Sequence, residues 1–176
     1  MKLLLFFIVL PMVSVAQYYG YGGPLIPSIR TQDYYIELAP YWEATQPNMG
    51  DTLVVLMSPY GTARDKFREN ITLSIRNIYE DQPKDLYDYA HYLSEEFQKN
   101  DPSAVLMEDK LKKDRNDQLY WYLTFQVQFN NMTLIVEQRY YLKNHRIFIL
   151  SFCHQNKGDR YNTWLGGQIM KSFYMM

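Results

Sequence analysis

Cysteine is almost absent from this sequence: Cys153 is the single one among 176 residues. A lone cysteine cannot form a disulfide within the chain, so a hydrophobic core must hold the fold without cross-links. An excess of charge of one sign is also lacking, because 18 lysines and arginines stand against 19 aspartates and glutamates. Such a near-neutral chain has no electrostatic footprint for nucleic acid or for anionic membranes.

Long apolar runs are missing except at the start, where MKLLLFFIVLPMVSVAQ has the three parts of a signal peptide. Lys2 gives the positive charge, residues 3–10 the apolar segment, and residues 14–16 the small side chains before a cleavage site. The apolar segment is well short of the roughly 20 residues that span a bilayer, although a short membrane anchor is the alternative. We therefore expect export to the periplasm or the extracellular space, a mature chain that starts at Gln17, and no membrane span after cleavage. The glutamine directly after Ala16 indicates a bacterial signal.

The mature chain suits a single domain that follows a leader. Removal of residues 1–16 leaves 160 residues, a length at which one domain buries roughly two-thirds of its unfolded surface. Residues 17–33 begin QYYGYGGPLIP, without hydrophobic periodicity, and are predicted to be flexible. Residues 34–176 are predicted to form the domain.

Hydrophobic spacing predicts a mixture of strands and helices. Short apolar or alternating segments predict strands at residues 34–38, 53–57, 67–78 and 103–111. A helix is predicted from apolar residues at helical spacing, which are Leu86, Tyr89, Ala90, Leu93 and Phe97. A closing helix has Asp159 as its N-cap, and its predicted buried face consists of Tyr161, Trp164, Leu165, Ile169 and Phe173. Gly166 and Gly167 inside that helix allow close packing or mark a kink.

The most regular part of the chain is a predicted three-stranded meander at residues 118–153. Apolar and polar residues alternate from Leu119 to Phe129, and Asn130-Asn131 can form a two-residue hairpin turn. Folding the chain there pairs apolar with apolar residues: Phe129 with Met132, Val127 with Leu134, Phe125 with Val136 and Trp121 with Tyr140. The predicted core therefore contains Trp121, Leu123, Phe125 and Val136, packed against Leu93, Phe97 or Trp164 and Leu165 of the helices. The fold class is α+β, with a mainly antiparallel sheet and two main helices.

The order of these elements resembles the PsbP-like superfamily, which includes the photosystem II extrinsic subunit PsbP and bacterial DcrB-type envelope proteins. Phe67, Asn70, Ile71 and Leu73 fit its Phe-x-x-Asn-Ile-x-Leu pattern before a long strand, and the closing helix ends Lys-Ser-Phe. The resemblance implies an α/β/α sandwich and a function in binding other macromolecules. It gives no catalytic residue to carry over, and the metal-site histidines of the family have no counterpart that we can place here.

The segment DKFREN, residues 65–70, is the densest charged cluster that precedes a strand. The acids have no companion metal ligand or nucleophile, so we expect Phe67 to anchor the strand entrance while Lys66, Arg68 and Glu69 stay solvated. Asn70-Ile71-Thr72 and Asn131-Met132-Thr133 are formal glycosylation acceptors. In a bacterial protein we expect no modification at either.

Residues typical of catalytic or metal sites are not arranged as such sites. His91, His145 and His154 have no HExxH or i, i+4 spacing, and there is no CxxC, GxSxG or phosphate loop. Cys153 and His154 point to opposite faces of an extended strand, so they are not a catalytic pair. We predict no enzymatic activity, no cofactor and no metal.

Three functions remain open from the sequence. The first is an exported accessory protein that binds another envelope or secreted protein, the second a carrier of a small apolar or aromatic ligand, and the third an unrecognised hydrolase. The candidate interaction surface lies on the polar face of the meander, where the register places Tyr120, Tyr122, Glu137, Arg139 and Tyr141 side by side. Tyrosine and arginine are enriched at interfaces. The alternative is that a helix covers this face.

Overall fold

A computed structural model describes residues 28–47, 50–60 and 67–176. The described residues form ten strands and two helices: β1 (Ser28–Arg30), β2 (Tyr34–Glu37), β3 (Glu43–Thr45), β4 (Thr52–Met57), β5 (Asn70–Asn77), α1 (Leu86–Asn100), β6 (Val105–Lys113), β7 (Leu119–Phe129), β8 (Met132–Lys143), β9 (Arg146–Gln155), α2 (Arg160–Ser172) and β10 (Tyr174–Met175). In this part of the chain, no helix is long and apolar enough to cross a membrane.

A seven-stranded antiparallel sheet, in the order β3-β4-β5-β9-β8-β7-β6, forms the middle layer. A small sheet of order β1-β2-β10 lies with α2 over one face, and α1 covers the other. Alternate residues of the central strands therefore feed two separate cores: Phe148, Leu150 and Phe152 pack towards α2, and Ile147 and Ile149 towards α1. The predicted α+β sandwich is confirmed.

The predicted register of the meander is confirmed. Phe129 pairs with Met132, and Tyr122 pairs with Arg139. Asn130 and Asn131 have φ angles of 46° and 63°, and Asn144 and His145 form a second turn with φ angles of 50° and 57°. Two consecutive left-handed residues are what a two-residue hairpin requires, and asparagine tolerates that conformation.

The core around α1 agrees with the sequence, whereas two of the five residues predicted for the buried face of α2 are exposed. Phe125 is fully buried and stacks on Phe97, with ring centroids 4.3 Å apart. On α2, however, Tyr161 and Trp164 are 60% and 57% exposed. The residues that α2 buries are Asn162, Leu165, Gly166, Ile169, Met170 and Ser172. Trp164 is therefore not a core residue.

Close packing of Gly166 explains the orientation of α2. A Cβ atom at Gly166 would lie within 3.0 Å of three ring atoms of the buried Phe152. A Cβ at Gly167 would meet nothing within 4 Å. Gly166 thus lets the α2 backbone pack closely against the sheet. The sequence left close packing or a kink open for this glycine, and the structure shows close packing.

The boundary between leader and domain lies earlier than predicted. Ser28–Arg30, which we placed in the flexible leader, is strand β1 and pairs with β2. This pairing satisfies backbone hydrogen-bonding groups of β1. A strand of three residues is too short to be recognised from the alternation of its side chains. The predicted signal peptide, the rest of the leader up to residue 27 and Lys66 lie outside the described residues.

In the described part of the charged lead-in to β5, Arg68 is half-buried and Glu69 is buried, whereas we expected both to be solvated. Phe67 packs against the α1-side core as expected. Glu69, however, is 3% exposed, and its Oε2 accepts a hydrogen bond from the Ser58 hydroxyl at 2.9 Å. Arg68 lies 2.9 Å from the Glu43 carboxylate and donates from Nε to the Ser58 carbonyl oxygen. These partners come from β3 and the end of β4, and the local sequence of residues 65–70 does not identify them.

Candidate functional site

The five residues of the predicted interaction surface do meet, but four of them are buried. Tyr120 and Tyr141 stack with ring centroids 5.2 Å apart, and Tyr120, Tyr122, Arg139 and Tyr141 are 9% exposed or less. Residues of α2 and β10 share their hydrophobic cluster and cover this face of the sheet. Of the two alternatives left open by the sequence, the structure has the one in which a helix covers this face.

Glu137, the fifth residue, is held in a polar group with two side chains from neighbouring strands. Tyr122 donates its hydroxyl to Oε2 at 2.9 Å, and the His154 Nε2 lies 3.5 Å from Oε1. Burial alone would raise the pKa of the Glu137 carboxyl, but the interactions with His154 and Tyr122 outweigh burial and hold the pKa below its usual value. Glu137 is thus committed to partners within the sheet.

Arg139 is a buried cation without a carboxylate partner. It is 8% exposed, and its Nη1 donates to the Met170 carbonyl oxygen of α2 at 2.7 Å. The guanidinium lies over the Tyr120 ring, 5.1 Å from its centroid. Within the described ranges, its Nε has no hydrogen-bond partner and no acidic oxygen lies within 4.0 Å of it.

A cleft of about 500 Å³ opens above Arg139, between the β6–β7 hairpin and the end of α2. We call it the cationic cleft, because five of its described lining residues are cations and two are acids. Its charged residues are Lys112, Lys113, Arg115, Arg139, Lys171, Glu37 and Asp114, and its other lining residues are Tyr120, Gln168 and Ser172.

Lys112, which lines the cleft, lies close to other positively charged side chains. Its Nζ lies 3.2 Å from the centroid of the Tyr122 ring, a cation–π contact. Burial, together with the charges of Lys110 and Arg139, lowers the pKa of this ammonium in spite of the opposing Glu108 carboxylate. A negative charge bound in the cleft would therefore stabilise the positive charges of Lys112 and Arg139.

A second group of candidate side chains, which sequence reasoning missed, lies where α1 meets the edge of the large sheet. Tyr87 packs edge-on against Trp121 at 4.9 Å and against His91 at 4.2 Å. Asp109 accepts a hydrogen bond from Trp121 Nε1 at 2.6 Å and lies 3.4 Å from His91 Nε2. We call these four residues, with the adjacent Leu111 and Leu119, the aromatic corner.

The aromatic corner is open to solvent. Tyr87, Leu111 and Leu119 are 51%, 48% and 49% exposed, and β6 is the edge strand of the sheet. One indication of this group was present in the sequence: Tyr87 is an aromatic residue that lies outside the apolar face of the predicted helix. Nothing in the sequence paired it with Trp121, because that contact depends on where α1 lies on the sheet.

Two of the three histidines pair with carboxylates, and the described residues contain no group of three possible metal ligands. His91 contacts Asp109 and His154 contacts Glu137. Cys153 packs towards the α1 core, while His154 contacts Phe152 on the opposite face. The two neighbouring side chains therefore do not meet.

Comparison with solved structures relates the architecture to known proteins. Cyanobacterial PsbP (CyanoP) from Synechocystis sp. PCC 6803 matches with a TM-score of 0.59 at 20% identity, over 89% of this chain and 98% of that one. The chain has the PsbP-like fold. No protein-family model matches the sequence, and a comparison with curated proteins gives no match.

Two further structures match this PsbP-like chain. PA94 from Pseudomonas aeruginosa, a protein of unknown function, has a TM-score of 0.58 at 15% identity, over 83% of this chain and 94% of that one. LpqN from Mycobacterium tuberculosis, involved in cell envelope biogenesis, has a TM-score of 0.54 at 12% identity, over 81% and 83%. At these identities the similarity concerns the fold.

Proposed function

We propose that the protein is an exported, non-catalytic accessory protein that binds another protein of the cell envelope. Three observations support this: the signal-peptide pattern of residues 1–16, the PsbP-like fold that it shares with LpqN, and the exposed aromatic corner. The mature domain begins after Ala16 and works outside the cytoplasm, in the periplasm or beyond the cell.

The aromatic corner is the observation that carries the binding function. Tryptophan and tyrosine are the residues that most often dominate binding energy at protein interfaces. Trp121 is held in place by its hydrogen bond to Asp109 and by the Tyr87 ring, so little side-chain freedom is lost on binding. The proposed partner is a folded envelope protein with an apolar recess for Tyr87, Leu111 and Leu119.

The two other functions left open by the sequence have less support. A carrier of an apolar ligand needs a pocket lined mainly by apolar side chains, whereas charged residues dominate the lining of the cationic cleft. A hydrolase of the serine or cysteine type needs a side-chain nucleophile activated by a base such as histidine. In the described ranges neither His91 nor His154 is hydrogen-bonded to a serine or cysteine side chain.

Export is tested by the mass of the protein recovered from the periplasm or the medium of its own cells. We expect the mass of residues 17–176, with or without cyclisation of Gln17. Recovery only from the membrane fraction with Met1 retained would show that residues 1–16 are an anchor instead.

Binding is tested by a photo-crosslinking amino acid at position 87, expressed in the native cells. The matched control carries it at Tyr41, which is 85% exposed and lies between β2 and β3. We expect a discrete protein adduct from position 87 and none from position 41. With the partner purified, Tyr87→Ala should weaken binding about tenfold or more while the melting temperature is kept. The same adduct from both positions, or none from position 87, would refute the proposal.

A further inference from the structure

We propose that the cationic cleft binds a small oxyanion, a molecule with a phosphate or carboxylate group that pairs with the Arg139 guanidinium. The cleft lies on the α2 side of the sheet and the aromatic corner on the α1 side. The inference is thus independent of the protein partner proposed above.

The first argument is the state of Arg139. A buried charge is costly unless a partner of opposite charge and hydrogen bonds compensate for it. Arg139 is 8% exposed, and the Met170 carbonyl oxygen and the Tyr141 hydroxyl, with which its guanidinium interacts, are both neutral. Glu137, two residues away on the same strand, interacts with Arg139 through its charge, but its carboxylate contacts are Tyr122 and His154. A planar, forked guanidinium matches the oxygens of a carboxylate or phosphate.

The second argument is that other cations converge on the same space. Lys171 and Arg115 line the cleft from opposite walls, α2 and the β6–β7 turn. Arg115 is oriented by a hydrogen bond of 3.0 Å to the Ser172 carbonyl oxygen and by the Tyr174 ring. Lys171 forms no ion pair within the described part of the chain.

The two acids of the lining do not neutralise this charge. Asp114 uses Oδ1 to hold the turn, accepting from the backbone amides of Asn116 and Gln118. Glu37 lies near the Tyr35 hydroxyl, at 3.5 Å. In the described structure neither carboxylate lies within 4.0 Å of a lining cation.

The size of the cleft sets the class of ligand. Its volume of about 500 Å³ is in the range of small-molecule sites, about 300–1,000 Å³. Tyr120 gives it an aromatic wall, while Gln168 and Ser172 add hydrogen-bonding groups. A small molecule with two or more negative charges fits this lining better than an uncharged one.

The test is a titration of the purified domain with inorganic phosphate and, separately, with citrate, followed by NMR chemical shifts. Sodium chloride at matched ionic strength is the control for screening. We expect saturable shifts at Arg139, Lys171 and Tyr120 with at least one of the two anions, and the tighter one identifies the phosphate or carboxylate class. No saturable binding of either anion beyond that of chloride would overturn the proposal.

Three variants separate a specific site from general charge. Lys171→Gln removes a positive charge at the exposed rim of the cleft. Arg139→Lys keeps the buried positive charge but loses the forked guanidinium group. Lys99→Gln, the control, removes an exposed positive charge on α1. We expect the first two to weaken binding about tenfold and the third to leave it unchanged. Equal weakening by all three would refute the site. If Arg139→Lys fails to fold, the contrast between Lys171→Gln and Lys99→Gln decides alone.

Discussion

At the scale of the residue, the two adjacent glycines of α2 should respond in opposite ways to the same change. Gly166→Ala places a methyl group against the buried Phe152 ring, which cannot move freely. Overpacking of that kind costs about 1–3 kcal/mol and exceeds the gain of about 1 kcal/mol in helix propensity. Gly167→Ala meets open space and should stabilise the protein by about 0.5–1 kcal/mol.

Urea unfolding of the two variants measures both effects, and each serves as the control for the other. Stabilisation by Gly166→Ala would contradict the close approach of α2 to the sheet.

Cys153 should be unreactive in the folded protein. Burial, together with the nearby Glu69 carboxylate, raises the pKa of its thiol from 9.0 to about 12. At pH 8 that leaves about a thousandfold less thiolate than in the unfolded chain. We expect iodoacetamide to modify Cys153 slowly in buffer and rapidly in urea; equal rates would mean that the thiol is open to solvent.

The burial of individual polar residues was the feature of the structure that was hardest to predict from the sequence. Asn162 and Ser172 face inwards on α2 because they satisfy backbone groups, Asn162 at Pro59 and Ser172 at Ile169 and Glu37. Hydrophobic periodicity cannot detect such partners, so it placed Tyr161 and Trp164 on the buried face instead. Glu69 was misjudged for the same reason, since its partner Ser58 directly follows another strand, β4.

At the scale of the element, the β7–β8 hairpin depends on its two asparagines. Because Asn131 has a φ of 63°, a β-branched residue there is strained by about 1–2 kcal/mol. We expect Asn131→Val to lower the free energy of unfolding by that amount and Asn131→Gly to keep or raise it. Measurement by chemical denaturation decides, and equal effects of the two variants would contradict the turn geometry.

The meander was predictable because two independent signals agreed. The alternation of residues 119–129 and the Asn-Asn turn give the same register, so an error in one would have shown in the other. The candidate site was only half predictable: the register placed Arg139 beside the tyrosines, but only the position of α2 shows that Arg139 and Tyr120 line a cleft. Which element covers a sheet face depends on contacts distant in sequence.

At the scale of the whole molecule, the α1-side core should carry a large share of the stability. Phe125 is fully buried against Phe97, and truncation of such a phenylalanine costs about 3–5 kcal/mol. Trp164→Ala is the matched control, because that side chain is 57% exposed and its loss should cost less than about 1 kcal/mol. A larger effect of Trp164→Ala than of Phe125→Ala would reverse the assignment of buried and exposed faces.

Alkaline pH should unfold the protein through its buried tyrosines. Burial raises the pKa values of Tyr122, Tyr140 and Tyr141 above the ordinary 10.0. The unfolded chain therefore loses these protons at lower pH than the folded one, and the free energy of unfolding falls as pH rises through about 10. We expect urea midpoints to drop between about pH 9 and 11, with the tyrosinate absorbance of the buried tyrosines appearing only as the protein unfolds. A constant midpoint over that range would contradict the burial.

The pairing of β10 with β2 has a consequence for biosynthesis. Tyr174 and Met175 pair with Tyr35 and Tyr34, and the Met176 amide donates to the Asp33 carbonyl oxygen at 2.9 Å. A ribosome makes β2 first, and its second partner emerges only after every other element of the domain has been translated. The small sheet therefore cannot close before residues 174–176 have left the exit tunnel.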